Sequence, residues 1–177
     1  NFMPIKTIFL DRDGVINKEI NYLHRIEDFE FIDGIFEACI HFKSLGYKII
    51  VVTNQSGIAR GYYSENDYQI LSNWMKNQFQ TKNIDILDIF HCPHGPKSKC
   101  VCRKPKPGML LKALQKYDIN MEKSWLIGDK ETDIICANKA GIFNTVLVKS
   151  GHKINKSPSN AKFILDSILD SNKVITN

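Results

Sequence analysis

The sequence predicts an α/β protein with a doubly wound, mostly parallel sheet, and two observations support this fold class. Short apolar runs rich in Ile and Val alternate with longer segments whose apolar residues recur at helical spacing. Strand–helix alternation of this kind is typical of parallel sheets covered by helices on both faces. Polar residues directly follow three of the runs, and open sheets bind ligands at the carboxyl ends of their strands.

Six segments have the pattern of buried strands, because they are short, apolar and mostly rich in β-branched residues. In chain order they are residues 6–10, 48–53, 87–91, 124–127, 145–148 and, with a weaker pattern, 161–165. Since no linker rich in Pro, Gly or Ser separates them, we expect one domain over residues 1–177.

The first two connecting segments carry helix boundary signals. Asp33 is the candidate cap of a helix whose apolar residues face one way and which Gly46 ends. Ser64 and Asp67 have the spacing of a capping box before a second helix. The aromatic residues of that second helix recur at core spacing, so we assign them to the core.

The later connecting segments are predicted in the same way. Pro107 suits the first turn of a third helix, and a fourth helix is expected from near Thr132 to Gly141. Residues 149–160 are polar and are predicted to form a surface loop.

Composition excludes several functional classes. The chain is 43% hydrophobic and 24% charged, with no apolar stretch near the roughly 20 residues that a membrane span needs. Its net charge of +5 comes from scattered basic residues, which fits a solvated surface or weak attraction of anions better than nucleic-acid binding. We expect a soluble, cytoplasmic monomer with no secretory signal.

Two carboxylates follow the first predicted strand. Asp11 and Asp13 are two positions apart, so in an extended chain their side chains point to the same side. Paired carboxylates can divide the work of phosphoryl transfer, because one attacks phosphorus while the other moves a proton.

Three further residues complete a predicted phosphoryl-transfer site. Asp129 follows another strand and can form an oxygen-ligand Mg²⁺ site with Asp11. Thr53 offers a hydroxyl group and Lys104 a positive charge for phosphoryl oxygens. Each residue alone fits a helix cap, a strand end or a surface charge. Asp11 with Asp13, then Thr53, Lys104 and Asp129, in this order along the chain, together favour a catalytic site.

A loop over residues 92–102 is rich in metal-ligand side chains. Cys92, His94, Cys100 and Cys102 offer the thiolates and imidazole that tetrahedral Zn²⁺ prefers, and a fully protein-ligated site is structural. A redox pair or incidental reduced thiols are the alternatives, although disulfides are rare in the cytosol. Bound zinc would order a loop too short for its own core and position Lys104.

The motifs resemble a known family. Asp11-x-Asp13-Gly14-Val15, Thr53, Lys104 and Gly128-Asp129-x-x-x-Asp133 resemble the four motifs of the haloacid dehalogenase superfamily of aspartate-dependent phosphatases. The resemblance covers residues 7 to about 148 and implies a Rossmann-like fold. The short intervals between motifs leave no room for a large cap domain.

The resemblance also implies roles for these residues. Asp11 would be the nucleophile that forms an aspartyl-phosphate, and Asp13 would protonate the leaving oxygen and then activate water. Mg²⁺ would bind Asp11, the backbone carbonyl of Asp13, and Asp129, with Asp133 supporting that site from behind.

The cysteine loop and the segment 53–61 narrow the family to one branch. They look like the branch of D-glycero-D-manno-heptose 1,7-bisphosphate phosphatases and histidinol-phosphate phosphatases, and Ser56 through Gly61 favours the heptose group. That implies removal of the 7-phosphate, a step toward nucleotide-activated heptose for lipopolysaccharide or other surface glycans. The substrate-contacting residues expected from the resemblance and from phosphate chemistry are Glu19, Tyr22, Asn54, Gln55, Ser56, Arg60, Arg103 and Lys130.

Three other functions remain open at this level. A histidinol-phosphate phosphatase would need an acidic contact for the substrate amine, for which Glu19 is the candidate. A zinc-stabilised binding module with a decayed site would not need complete motifs. A 3′-phosphatase acting on nucleic-acid ends would be expected to carry a concentrated basic stripe, which the sequence lacks.

Overall fold

The structure is a computed structural model of the chain, and it describes residues 3–149 and 158–177. Its strands, in chain order, are β1 (Thr7–Leu10), β2 (Lys48–Asn54), β3 (Ile86–Cys92), β4 (Trp125–Gly128), β5 (Asn144–Val148) and β6 (Phe163–Leu165). Over the described residues these six strands form one sheet in the order β3-β2-β1-β4-β5-β6. Every neighbouring pair is parallel, which confirms the predicted sheet.

Helices connect most of these strands. They are α1 (Ile35–Ser44), α2 (Glu65–Gln80), α3 (Gly108–Lys116) and α4 (Glu131–Lys139). The third begins one residue after Pro107, within the usual uncertainty of helix ends. Two short 3₁₀ helices, Ile26–Asp28 and Ile168–Lys173, lie outside the predicted elements.

Both faces of the sheet are covered, because successive side chains of a strand point to opposite faces. In β1, Ile8 and Leu10 join a core that includes buried residues of α1 and α2, whereas Phe9 joins a core formed with α3 and α4. All three side chains are fully buried. This explains why the central strands have continuous apolar sequences.

The predicted cap of the first helix is wrong. The N-cap is Gly34, whose φ of 88° lies in the left-handed region, and no side chain there bonds the helix. A residue with no Cβ adopts this turn without strain, so the chain enters the helix one position after Asp33.

The capping box of α2 is confirmed, since the Asp67 amide donates to Ser64 Oγ at 3.0 Å and the Ser64 amide donates to Asp67 Oδ2 at 2.9 Å.

The predicted loop over residues 149–160 lies largely outside the described residues. At its described end, Ser159 Oγ and the Asn160 amide both donate to the Glu131 carboxylate, at 2.6 and 3.0 Å. Among the described residues, no helix is both long and apolar enough to cross a bilayer.

The strand order identifies the ligand-binding edge. β2 lies on one side of β1 and β4 on the other, so the chain reverses its winding direction next to β1. Parallel sheets bind ligands in the crevice outside the carboxyl ends of strands at such a point. Asp11, Thr53 and Asp129 all lie at that edge, following or ending β1, β2 and β4.

Candidate active site

Lys104 lies between two carboxylates at the base of the site. Its Nζ is 3.0 Å from Asp11 Oδ1 and 2.6 Å from Asp133 Oδ1, and it donates to the Val52 carbonyl at 3.1 Å. Burial alone would lower the pKa of Lys104, but Asp11 and Asp133 raise it. The ammonium group is therefore held charged, with a partner for each of its three protons.

The carboxylates of Asp11, Asp129 and Asp133 have oxygens within 4.8 Å of one another, and all three residues are buried. Burial, together with nearby Asp133, raises the pKa of Asp11 to about 7, although Lys104 opposes the shift. Burial and the charge of Asp11 raise the pKa of Asp129 to about 9. A buried cluster of acidic oxygens suits a hard divalent cation, whose charge would offset this repulsion.

Backbone geometry makes room for this cluster. A Cβ on Gly14, whose φ is 88°, would lie 2.0 Å from Asp129 Oδ2. Asp133 Oδ2 accepts from the backbone amides of Asp129 and Lys130, each at 3.2 Å. The Asp129 side chain therefore packs against the turn that follows β1. A glycine at position 14 leaves the space that this side chain occupies.

Asp13 is held by side chains from three directions. Its Oδ1 accepts from Arg12 Nη2 at 3.0 Å, Arg12 Nε at 3.2 Å and Asn17 Nδ2 at 2.9 Å, while its Oδ2 accepts from Gln55 Nε2 at 3.1 Å. The Asp13 side chain remains 23% exposed, so it can face a substrate. Arg12 and Asn17 were not predicted, because their local sequence does not show that their side chains turn toward Asp13.

A cavity of about 390 Å³ opens over these residues. It brings together the predicted substrate residues and most of the predicted catalytic ones. The predicted residues that line it are Asp11, Asp13, Glu19, Tyr22, Asn54, Gln55, Ser56, Arg60, Arg103, Lys104 and Lys130. Thr53 and Asp129 are buried and do not line the cavity, whereas Tyr63 and Thr132, which the sequence did not predict as site residues, do line it.

Charged and aromatic side chains form the rim of the cavity. Lys130 Nζ lies 3.5 Å from Glu19 Oε1. The Arg60 guanidinium lies 5.7 Å from the centre of the Tyr22 ring, and Tyr22 packs against Tyr62 with ring centres 4.6 Å apart. The cavity lining therefore includes two basic side chains, Lys130 and Arg60, each beside a different partner.

The other predicted contact residues also have structural partners. Asn54 Oδ1 accepts from the Lys104 amide at 3.0 Å, and its Nδ2 donates to the Lys104 carbonyl at 3.3 Å. Ser56 Oγ accepts from Arg60 Nε at 3.4 Å, and Arg103 Nη1 donates to the His94 carbonyl at 3.2 Å. Asn54 thus joins the end of β2 to the backbone that carries the lysine.

Three thiols of the 92–102 loop converge. The sulfur atoms of Cys92, Cys100 and Cys102 lie within 4.8 Å of one another, whereas the ring of His94 is outside this group. Burial raises the pKa of Cys92 to about 12. Burial opposes ionisation of Cys100 as well, but hydrogen bonds from the Arg103 backbone and Ser98 lower the pKa of this thiol to about 6. The loop thus brings three thiols together, and the lowered pKa makes the Cys100 thiol the easier one to ionise.

Comparison with known proteins gives a consistent result. The HAD-hydrolase-like family model matches residues 101–171. D-glycero-alpha-D-manno-heptose-1,7-bisphosphate 7-phosphatase of Photorhabdus laumondii is 52% identical over 164 residues, which cover 89% of this chain and 90% of that protein. The beta-form 7-phosphatase of the same organism is 44% identical over an alignment of 179 positions, and the match covers 97% of this chain and 95% of that protein.

A solved structure is similar over the whole fold. D,D-heptose 1,7-bisphosphate phosphatase of B. bronchiseptica, complexed with magnesium and phosphate, superposes with a TM-score of 0.86 at 28% identity. The match covers 97% of this chain and 98% of that one.

Proposed function

Because this chain belongs to the haloacid dehalogenase-like hydrolases, in the group of heptose-1,7-bisphosphate 7-phosphatases, we propose that it removes the 7-phosphate of D-glycero-D-manno-heptose 1,7-bisphosphate to give heptose 1-phosphate. The observation that carries this proposal is the 52% identity to a phosphatase of that name over 89% of the chain. The geometry agrees, since a buried Asp11–Lys104 pair lies at the base of a cavity with basic side chains at its mouth.

The chemistry follows from the positions of the two carboxylates. A carboxylate oxygen of Asp11 attacks the phosphorus atom, forming an aspartyl-phosphate as the bond to the C7 oxygen breaks. Asp13 gives a proton to that leaving oxygen, then takes one from the water that hydrolyses the aspartyl-phosphate. Lys104 reduces the repulsion between Asp11 and the anionic substrate, and Thr53 contributes a hydroxyl group to the phosphoryl oxygens.

Mg²⁺ is the proposed cofactor. Asp11, Asp129 and the backbone carbonyl of Asp13 would hold it, and the clustered carboxylate oxygens suit its chemistry. When bound, it supplies positive charge beside the phosphate oxygens. The solved relative from B. bronchiseptica contains magnesium and phosphate, which supports this choice of metal.

Zn²⁺ is proposed for the cysteine loop. Three converging sulfur atoms from Cys92, Cys100 and Cys102 supply most of a tetrahedral set. His94 is the proposed fourth ligand, and it would have to turn toward the sulfurs when the metal binds. All five cysteines of the chain are thiols, which supports the proposed cytoplasmic location.

The second phosphate of the substrate is assigned to the rim. Arg60 and Arg103 have the planar guanidinium groups that bind phosphate through two hydrogen bonds, and Lys130 adds a third positive charge. All three line the same cavity as Asp11, as a substrate with two phosphates requires. We propose that the chain acts as a monomer.

We propose that the alpha anomer is preferred. Within one organism, Photorhabdus laumondii, the alpha-form phosphatase is 52% identical to this chain and the beta-form phosphatase 44%.

Histidinol phosphate is the alternative substrate. The candidate acidic contact for its amine, Glu19, lies 3.5 Å from Lys130, so part of its charge is already balanced.

The test compares phosphate release from the two heptose 1,7-bisphosphate anomers and from histidinol phosphate. We expect kcat/KM for the alpha anomer to exceed that for histidinol phosphate at least tenfold, about 1.4 kcal/mol of transition-state discrimination. Asp11→Asn should abolish release, while exposed Asp85→Asn should leave it unchanged. A preference for histidinol phosphate, or undiminished activity of Asp11→Asn, would contradict the proposal.

A further inference from the structure

We propose that Tyr63 is a positioning residue for proton transfer: its hydroxyl group fixes the orientation of the Gln55 side-chain amide, and that amide holds Asp13 and Thr53. The proposal rests on the proposed phosphatase function. It adds a residue that lies outside the four motifs and that the sequence analysis did not identify.

The contacts form a chain from Tyr63 to the reacting groups. Tyr63 Oη donates to Gln55 Oε1 at 2.5 Å. The nitrogen of the same amide, Nε2, donates to Asp13 Oδ2 at 3.1 Å and to Thr53 Oγ1 at 2.9 Å. Gln55 is 3% exposed and Tyr63 7% exposed. Because an amide has an oxygen that accepts and a nitrogen that donates, fixing its oxygen also fixes its nitrogen.

The direction of the first bond is set by the phenol. Burial raises the pKa of Tyr63 to about 12, so the hydroxyl group keeps its proton and donates it to Gln55. If the amide of Gln55 were turned around, its oxygen would face the carboxylate of Asp13. Two acceptors would then meet with no proton between them, which is unfavourable in a buried site.

Neighbouring residues hold the Tyr63 ring in place. The His24 ring stacks on the Tyr63 ring, with centres 5.1 Å apart and planes 8° apart. A Cβ on Gly57 would lie 2.1 Å from Tyr63 Cε1, so the glycine leaves the space that the ring fills. The backbone N–H of Gln55 donates to the Cys92 carbonyl at 2.7 Å. This bond fixes the backbone of Gln55 against the end of β3.

Gln55 has a separate task at Asp13. The short contacts from Arg12 and Asn17 go to Oδ1, and the contact of Arg12 Nη2 to Oδ2 is longer, at 3.4 Å. Gln55 Nε2 is the nearer donor to Oδ2. Without it, the carboxylate can rotate about its bond to Cβ, and the oxygen that exchanges a proton with the substrate or with water loses its fixed position.

The first experiment compares two leaving groups in the Tyr63→Phe variant, with Mg²⁺ present. The C7 oxygen of the heptose bisphosphate needs a proton as it leaves, whereas 4-nitrophenolate leaves 4-nitrophenyl phosphate without one. We expect kcat/KM to fall roughly tenfold for the heptose bisphosphate, a part of the 10²–10⁴ that acid–base catalysis supplies, and less than about twofold for 4-nitrophenyl phosphate. Equal losses with both substrates would overturn the proposal.

A double-mutant cycle shows whether Tyr63 acts through Gln55. Gln55→Met removes the amide, so adding Tyr63→Phe to it should cause no further loss of kcat/KM for the heptose bisphosphate. Independent, multiplying losses would overturn the proposal. Tyr47→Phe is the matched control, because Tyr47 is also buried, at 8% exposed, and packs against Lys6. It precedes β2 and so lies at the amino ends of the strands, away from the site. This variant should retain wild-type kcat/KM.

A readout without substrate separates this proposal from the proposed function. The Gln55 side-chain amide protons, identified by NMR through their absence in Gln55→Met, should exchange with solvent roughly fivefold faster in Tyr63→Phe than in the wild type. Unchanged exchange would overturn the role of Tyr63 whichever substrate the enzyme uses. A wild type that hydrolyses 4-nitrophenyl phosphate but no heptose bisphosphate would overturn the proposed substrate, and the exchange rates would still decide the role of Tyr63.

Discussion

Lys104 shows at the residue scale how the active site tolerates so much buried charge. It is 5% exposed, and its ammonium group contacts Asp11, Asp133 and the Val52 carbonyl. A buried ion pair adds little net stability when complete, but removing one partner leaves a charge with no compensation in a medium of low polarity. The lysine therefore stabilises both the fold and the charge of Asp11, the proposed nucleophile.

We expect Lys104→Met to impair both stability and activity. The free energy of unfolding should fall by about 3 kcal/mol, because two buried carboxylates lose their cation, and kcat should fall at least roughly 100-fold, as when a preorganised charge contact is removed. Chemical denaturation and phosphate release measure the two effects. Exposed Lys112→Met is the control, and wild-type kcat in Lys104→Met would contradict the assigned role.

The loop between β3 and α3 shows at the element scale how a short polar segment is held in place. Its thiols meet at one point, and the Gly108 amide donates to the Val101 carbonyl at 2.9 Å, joining the start of α3 to the loop. A Cβ on Gly108 would lie 2.2 Å from that carbonyl oxygen, whereas a Cβ on Gly95, in the same loop, would meet no atom within 4 Å. Gly95 within the loop and Gly108 at the start of α3 thus differ sharply in the space available for a side chain.

These two glycines provide a matched pair for the second prediction. Gly108→Ala should lower the free energy of unfolding by about 2 kcal/mol, because a backbone carbonyl cannot move away as a flexible side chain can. Gly95→Ala should change it by less than about 0.5 kcal/mol. Thermal and denaturant unfolding compare them, and equal stabilities would show that the loop adapts to the added methyl group.

The third prediction concerns the metal proposed for the loop. Purified protein should contain zinc, and Cys100→Ser should lose it, because a hydroxyl group is a much poorer zinc ligand than a thiolate. We expect this variant to lose activity as well, since Arg103 and Lys104 follow Cys102 directly. Elemental analysis beside phosphate release measures both, and a wild type that contains no zinc while fully active would contradict the assignment.

The whole molecule is organised by the sheet, which gathers carboxylates from distant parts of the chain. Asp11 and Asp129 follow strands that are neighbours in the sheet although 118 positions separate them in sequence. Burial and the charges of neighbouring carboxylates, Asp133 for Asp11 and Asp11 for Asp129, raise the pKa of both carboxyl groups, to about 7 and about 9. In the metal-free protein, folding therefore favours the protonated form of both carboxyl groups. The proposed catalysis needs them ionised.

The fourth prediction follows from the sign of these shifts. The pKa of Asp129 rises from 3.8 to about 9 on folding, so the folded state retains a proton that the unfolded state releases above pH 4. The contribution of Asp129 to stability is thus lost progressively as pH rises from about 4 to about 9. Asp129→Asn cannot lose a proton, so without Mg²⁺ it should be more stable than the wild type by at least about 2 kcal/mol at pH 8, and by little at pH 4.

Thermal unfolding in EDTA across that pH range tests this prediction, with Mg²⁺ as the matched comparison. Adding Mg²⁺ should stabilise the wild type at pH 8 and stabilise Asp129→Asn less, because the variant lacks one proposed ligand. A constant difference between variant and wild type at all pH values would contradict the assigned repulsion.

The sequence by itself determined the strands, the α-helices and the reaction class. Strands such as β1 and β2 are identifiable because they are apolar on both faces, and that pattern reflects burial by helices on each side of the sheet. Asp11, Asp13 and Lys104 were predicted as site residues because polar side chains follow such strands or recognisable loops in a set order, and the structure brings all three to one cavity. The cap of α1 was mispredicted, because a left-handed Gly34 and an Asp33 cap give the same local signal.

Only the tertiary structure decided which side chains hold the reactive groups. Arg12, Asn17 and Tyr63 bond Asp13 or its neighbour Gln55, but nothing in their local sequence shows where their side chains point. Lys104 reaches Asp11 across 93 positions of sequence, and the pKa shifts of the carboxylates exist only when the strands are assembled. The physical reason is that periodicity and turn chemistry act between near neighbours in the chain, whereas burial, charge coupling and hydrogen bonding in the site depend on distances that the packed sheet sets.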